Sequence, residues 1–219
     1  MVAQITLDDE KVTTLCQADE RLKQLIHSVG PMENFSLEKN YYKSLVKRII
    51  GQQVSLKVAA IFEKRVGKVW ENFHPEKFQY IKEIDLREAG LSYRKIAYIR
   101  DLTEKYVSGE LDFDKLPSLS DQEVVNELTK VKGIGQWTAE MFMIFSLGRL
   151  NILSFPDVSI QNAIRWLYEI PKEETLDLRY YYETWNPYNS IASLYLWEAI
   201  DRGFTAKNPL EAFTLREAK

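Results

Sequence analysis

The chain has 219 residues, 45% of them apolar and 28% charged, with a formal net charge of −3. That is enough for one large domain or two small lobes with a real core, and no apolar run approaches the ~20 residues of a membrane-crossing helix. The single cysteine, Cys16, excludes an internal disulfide framework and an all-cysteine metal or iron–sulfur site, and His27 and His74 have no ligand-spaced partner for a zinc site. The N-terminus lacks the basic-then-apolar layout of a secretory signal, so an intracellular protein is expected.

The charge is unevenly spread. Residues 41–70 carry Lys43, Lys47, Arg48, Lys57, Lys64, Arg65 and Lys68 against Glu63 alone. Residues 169–185 carry five acidic side chains against Lys172 and Arg179. A local basic face is what a phosphate-binding surface requires, although a solvated helix face has the same composition.

The pattern is helical nearly throughout. Tyr42, Leu45, Val46, Ile49 and Ile50 follow the three-and-four spacing of an amphipathic helix, which Gly51-Gln52-Gln53-Val54 interrupts. A second helix restarts at Ser55, a suitable N-cap, with Val58, Ile61, Phe62 and Val66 expected on one face. Gly90-Leu91-Ser92 caps a helix expected from Tyr93 to about Tyr106, and Ser120 with Glu123 forms a capping box ahead of Val124, Val125 and Leu128. After the short Val131-Lys132-Gly133-Ile134-Gly135 turn, an apolar helix is expected from about Gln136 to Leu147, with Gly148 as its C-cap. Pro156-Asp157 opens a helix carrying Ile160, Ala163, Ile164 and Leu167, and Pro187 precedes a last long helix that ends near Gly203. Strand-period alternation is nowhere sustained. The expected fold is therefore all-α.

Leu128–Ala139 reads as a helix-hairpin-helix. Two glycines one residue apart allow a sharp turn with positive φ, and their N–H groups project at the start of the next helix. Unpaired donors and the positive end of a helix dipole suit a phosphate there, with Ile134 turned inward. Such a hairpin holds DNA backbone without reading sequence. Val131, Gly133, Gly135, Thr138 and Lys132 are the expected backbone-binding residues. Asp157 lies twenty residues past Trp137 at a helix start. An aspartate there is most often a cap; beside a DNA-binding hairpin it is also a candidate catalytic carboxylate.

These segments together resemble the helix-hairpin-helix DNA glycosylase superfamily, and within it the AlkA-type 3-methyladenine DNA glycosylases in a compact form without an N-terminal β domain. The resemblance covers roughly residues 15–203. It rests on Ile49–Ser55, Gly90–Lys95, Val131–Ala139, Phe155-Pro156-Asp157 with Gln161, and Trp185–Ser190 followed by Tyr195-Leu196-Trp197. It implies two helical lobes, residues 45–150 with the hairpin and residues 1–44 with 151–219, and an active cleft between them. It implies hydrolysis of the N-glycosidic bond of alkylated purines in duplex DNA by base flipping, with Asp157 catalytic although Pro156 stands where some relatives have a second acid. Gln53, with Gln52, matches the wedge that fills the gap left by the extruded base, and Trp137, Trp197 and Tyr188 match the base pocket. Met141 stands where some relatives have tyrosine, and Tyr195 reads as core. The lyase members carry a nucleophilic lysine where this chain has Trp137, so a Schiff base is not expected. No organic cofactor is implied; a monovalent cation at the hairpin carbonyls is. The implied partner is duplex DNA with alkylated bases, bound by a monomer in the cytoplasm and nucleoid or the nucleus, with no membrane. A bifunctional glycosylase/lyase acting on oxidised bases and a noncatalytic helix-hairpin-helix DNA-binding module are the alternatives.

Overall fold

A computed structural model describes residues 3–35 and 37–214. In chain order the elements are β1 (Ala3–Ile5), α1 (Glu10–Ala18), α2 (Glu20–Val29), β2 (Met32–Phe35), α3 (Tyr41–Gly51), α4 (Leu56–Val69), α5 (Glu83–Glu88), α6 (Tyr93–Val107) and α7 (Asp121–Leu128). They continue with α8 (Gln136–Phe142), α9 (Val158–Tyr168), α10 (Leu178–Thr184), α11 (Asn189–Asp201) and α12 (Pro209–Thr214). Helix starts follow the side-chain caps read from sequence. Ser55 Oγ accepts from the Val58 amide, Ser92 Oγ from the Lys95 amide, and Ser120 and Glu123 bond each other's backbone amides. Each such cap is worth about 1 kcal/mol. Helix α8 runs on into one π-helical turn, Met143–Leu147, and stops at Gly148 in the left-handed region (φ 71°, ψ 28°), as expected for a C-cap.

The helical expectation holds, with one small addition. β1 and β2 form an antiparallel ribbon that pairs Ala3 with Phe35 and Ile5 with Met32. Strands of three and four residues are too short to register as an alternating pattern. A second difference is in α4. Ala59 and Val66 are buried and Phe62 is half-buried, but Ile61 is 43% exposed. Residues 59, 62 and 66 define the inward stripe at helical spacing, and Ile61 lies well around the helix from it.

The chain divides into two compact units: Glu38–Gly148, and the described residues within Met1–Leu37 and Arg149–Lys219. The divisions fall at 38 and 148 rather than at 45 and 150. A boundary at 45 would cut α3, which starts at Tyr41 with Asn40 as its cap and buries Tyr42; Gly148 ends the hairpin helix. The central unit is built on α3, where Tyr42, Leu45, Val46, Ile49 and Ile50 are all buried, with α4, α6 and α8 packed around it. The terminal unit is built on α11, which packs on α9, α2 and α1. Its buried stripe of Ile191, Ala192, Tyr195, Leu196 and Ala199 meets Ile160, Ala163, Ile164 and Leu167 of α9 and Leu22, Leu25 and Ile26 of α2 in one apolar cluster. Tyr195, fully buried, is core as expected, and its hydroxyl has no hydrogen-bond partner among the described residues.

Candidate functional site

The hairpin belongs to the central unit. α7 ends at Leu128 and α8 begins at Gln136, so Val131–Gly135 make the turn between them. Val131 (1% exposed) and Ile134 (4%) are buried and pin the turn to the core, and the Ile134 amide donates to the Val131 carbonyl at 3.1 Å. The two glycines do different work. Gly133 is in the left-handed region at φ 82°, and a Cβ there would lie 2.1 Å from Cδ2 of Tyr98. Gly135 is extended, at φ −98° and ψ 178°, so the positive φ expected at both glycines occurs only at the first. A Cβ at Gly135 would meet nothing within 4 Å. It is the N-cap of α8 and has no side chain to satisfy the first-turn amides. A helix start of that kind faces outward with amide donors and a partial positive charge, a suitable seat for phosphate.

Of the other residues expected to bind backbone, Lys132 is exposed, but its amide donates to Asp101 Oδ2 at 2.9 Å and its Nζ lies 3.5 Å from Asp101 Oδ1. Thr138 is only 5% exposed, and Val131 is core, so both would meet a phosphate through main chain rather than side chain. Trp137, in the first turn of α8, is 45% exposed.

The break between α3 and α4 is a tight turn joined to the hairpin. Gln52 has φ −57° and ψ 134°, Gln53 has φ 57°, and the Val54 amide reaches the Gly51 carbonyl at 3.4 Å. This is the pattern of a type II turn, whose third position favours glycine. Glutamine in the left-handed region costs on the order of 1–3 kcal/mol of backbone strain, a cost typically found at functional positions. Gln52 is half-buried, and its Nε2 donates to the Gly133 carbonyl at 2.8 Å, tying the two turns together. Gln53 is exposed, and its Oε1 accepts from Arg94 Nη2 at 2.8 Å.

Nothing in the sequence reading assigns a role to the residues that organise this region. Arg94, Tyr98 and Asp101 are spaced four and three apart on α6, one face of the helix. Arg94 holds Gln53, the Tyr98 ring packs where Gly133 has no side chain, and Asp101 holds the Lys132 amide. Lys95 beside them donates to the Ile50 carbonyl at 2.6 Å, at the end of α3. Burial, with the neighbouring Arg94 charge, lowers the Lys95 pKa. Gly90 is required for a similar reason to Gly133. At φ 110°, a Cβ would lie 2.6 Å from Cε1 of Phe62. The Ser92 cap gives the register of the helix and so marks its 94-98-101 face; nothing in the sequence says that this face meets the hairpin.

Asp157 belongs to the terminal unit. It is the N-cap of α9, 6% exposed, and its Oδ1 accepts from the amides of Ser159 (2.8 Å) and Ile160 (3.1 Å). The preceding loop is held by Gln161, whose Nε2 donates to the Phe155 carbonyl at 2.8 Å. The ordinary role of an aspartate at this position, capping, is thus present in full. Capping uses Oδ1. Tyr188 and Trp197 are half-buried, at the start and on the body of α11, and pack against the apolar cluster. Met141 is buried at 4% exposure. A polar cluster fixes the start of α11. Asn189 Nδ2 donates to Asn151 Oδ1 (2.6 Å) and to the Tyr182 carbonyl (2.9 Å), and Ser190 Oγ donates to the Arg149 carbonyl (2.7 Å) and accepts from the Ile152 amide (2.9 Å). The segment leading toward Asp157 is anchored by these bonds. Among the described residues no group of three or more His, Cys, Asp or Glu could hold a metal ion.

DNA-3-methyladenine glycosylase 1 of Schizosaccharomyces pombe is 32% identical over 212 residues, covering 90% of this chain and 93% of that protein. A crystal structure of a DNA-3-methyladenine glycosidase from Bacillus halodurans is similar with a TM-score of 0.78 at 40% identity, covering 90% of this chain and 92% of that one. A structure of the S. pombe 3-methyladenine DNA glycosylase in complex with abasic DNA is similar with a TM-score of 0.78 at 32% identity, covering 87% and 96%. The family model for the HhH-GPD superfamily of base excision DNA repair proteins matches residues 46–187, and the chain belongs to that superfamily.

Proposed function

We propose that this chain is a monofunctional DNA glycosylase that removes alkylated purines, of the 3-methyladenine and 7-methylguanine type, from duplex DNA and leaves an abasic site. The observation that carries the reading is Asp157, a nearly buried carboxylate with one oxygen fixed by the first amides of α9, in a chain of the base excision repair superfamily. The names of its relatives, and the abasic DNA bound by one of them, support the same substrate class.

Rupture of the glycosidic bond sends its electron pair to the base, which neutralises an N3- or N7-alkylated purine, and leaves positive charge on C1′ and the ring oxygen. A carboxylate at that point stabilises the developing charge and accepts the proton of the water that attacks C1′. The Asp157 carboxylate is assigned this work while its Oδ1 stays with Ser159 and Ile160. The base must first leave the stack. Gln53, exposed on a strained turn, is assigned the wedge, and Gln52 its anchorage to the hairpin. Trp137, Trp197 and Tyr188 are assigned the extruded base, whose positive charge against an aromatic face adds about 0.5–2 kcal/mol. Gly135 and the first turn of α8 are assigned a backbone phosphate. The hairpin carbonyls suit a monovalent cation better than a divalent one. They are neutral oxygens, and those of Val131 and Gly133 each accept one hydrogen bond with a second lone pair remaining. When bound, such an ion supplies positive charge for a phosphate. Tryptophan at 137 has no amine for a Schiff base, so the reaction ends at the abasic site. The protein is read as a monomer.

The test is incubation with methylated duplex DNA and chromatography of the freed bases. Release of 3-methyladenine or 7-methylguanine is expected, with strand breaks only after hot alkali and no adduct trapped by borohydride. Absence of released base would overturn the reading, and a trapped adduct would overturn its monofunctional part.

A further inference from the structure

We propose that Arg94 is a positioning residue that orients the Gln53 amide, so that the wedge presents its –NH2 group, and not its carbonyl, to the DNA. The proposal rests on the reading of Gln53 as the wedge.

The Gly51–Val54 turn is held at several points. Lys95 Nζ bonds the Ile50 carbonyl before it, and Gln52 Nε2 bonds the Gly133 carbonyl from within it. Both contacts run from a side chain to a main-chain carbonyl; neither constrains the Gln53 side chain. Arg94 does. Its Nη2 donates to Gln53 Oε1 at 2.8 Å, from the first turn of α6, whose start is fixed by the Ser92 cap. A guanidinium has donors and no acceptor, so only the amide oxygen of Gln53 can face it. The Nε2 donors must then point the other way. Gln53 holds a left-handed backbone, which glycine would adopt without strain.

The consequence is chemical. All four bases carry acceptor atoms, whereas exocyclic donors differ from base to base. A wedge that offers its N–H donors can bond an acceptor on whichever base is left unpaired. Arg94 thereby fixes the amide, before insertion, in the orientation that meets those acceptors.

The test is a double-mutant cycle with Arg94→Ala, Gln53→Ala and both, read by single-turnover release of a methylated purine placed opposite C or T. Stopped-flow fluorescence of 2-aminopurine beside the lesion reports flipping, and melting temperatures report folding. Arg94→Ala is expected to slow flipping and release by about 3- to 10-fold opposite either base, the worth of one hydrogen bond. Arg94→Lys should recover part of the rate, because an ammonium also donates. The double variant should be no slower than Gln53→Ala. If the losses add, or if Arg94→Ala flips at the wild-type rate, Arg94 does not act through Gln53 and the proposal is wrong. If Gln53→Ala flips normally while the wild type still frees methylated bases, the proposal falls and the glycosylase reading stands. A wild type that frees no base removes the glycosylase reading itself.

Discussion

Asp157 holds two roles, and different substitutions separate them. Its Oδ1 caps α9 through the amides of Ser159 and Ile160, while the proposed chemistry belongs to the carboxylate charge. Asparagine keeps an oxygen for the same two amides and ranks with aspartate as an N-cap. Asp157→Asn is therefore expected to melt within a degree or two of wild type. Alanine loses the cap, at about 1 kcal/mol, which for a chain of this size lowers Tm by about 2–4 °C. Both variants lose the charge. By the usual cost of removing one preorganised electrostatic group, single-turnover release of 7-methylguanine should fall by about 10²–10³-fold in each. Affinity for abasic-site DNA, measured by fluorescence anisotropy, should change little, because the hairpin amides and not Asp157 are assigned the phosphate. The paired assay is thermal melting with base release. Asp157→Asn releasing base at the wild-type rate would refute the catalytic assignment. Asp157→Asn melting as low as Asp157→Ala would refute the capping argument.

The glycines of the hairpin should also separate. Gly133→Ala forces a Cβ into the Tyr98 ring at a left-handed φ and should lower Tm by several degrees, whereas Gly135→Ala should melt like wild type yet bind abasic-site DNA measurably more weakly. Equal melting of the two alanine variants would contradict the geometry. Asp19 caps α2 through the Leu22 amide and accepts from Trp185 Nε1 at 2.9 Å and from the Tyr168 hydroxyl. Asp19→Ala strands those donors, at about 1–3 kcal/mol beyond the lost cap, and denaturant unfolding should show a loss of at least about 2 kcal/mol. Tyr195→Phe removes a buried hydroxyl that has no partner among the described residues, so it should leave stability unchanged or raise it by up to about 1–2 kcal/mol; a clear loss in the same measurement would show that the hydroxyl is bonded.

The sequence by itself determined what depends on neighbours along the chain. Helix starts at Ser55, Ser92 and Ser120, the stop at Gly148, and the inward stripes of α3 and α9 follow from capping chemistry and a period of 3.6 residues, both local. So does the hairpin, because Gly-Ile-Gly between two helices restricts the backbone to few conformations. That the side chain at 137 offers no amine was also legible, being a property of tryptophan alone. Ile61 was misplaced because periodicity gives a face only to within a residue, and neighbours decide which side is inward. The β1–β2 ribbon joins residues some thirty positions apart and leaves no local signal. Only tertiary structure decided that Arg94, Tyr98 and Asp101 turn one face of α6 toward two separate turns, that Gln52 ties those turns together, and that Gln53 holds a left-handed backbone. Contacts across forty or eighty residues depend on how helices pack, and packing is fixed by the whole core at once.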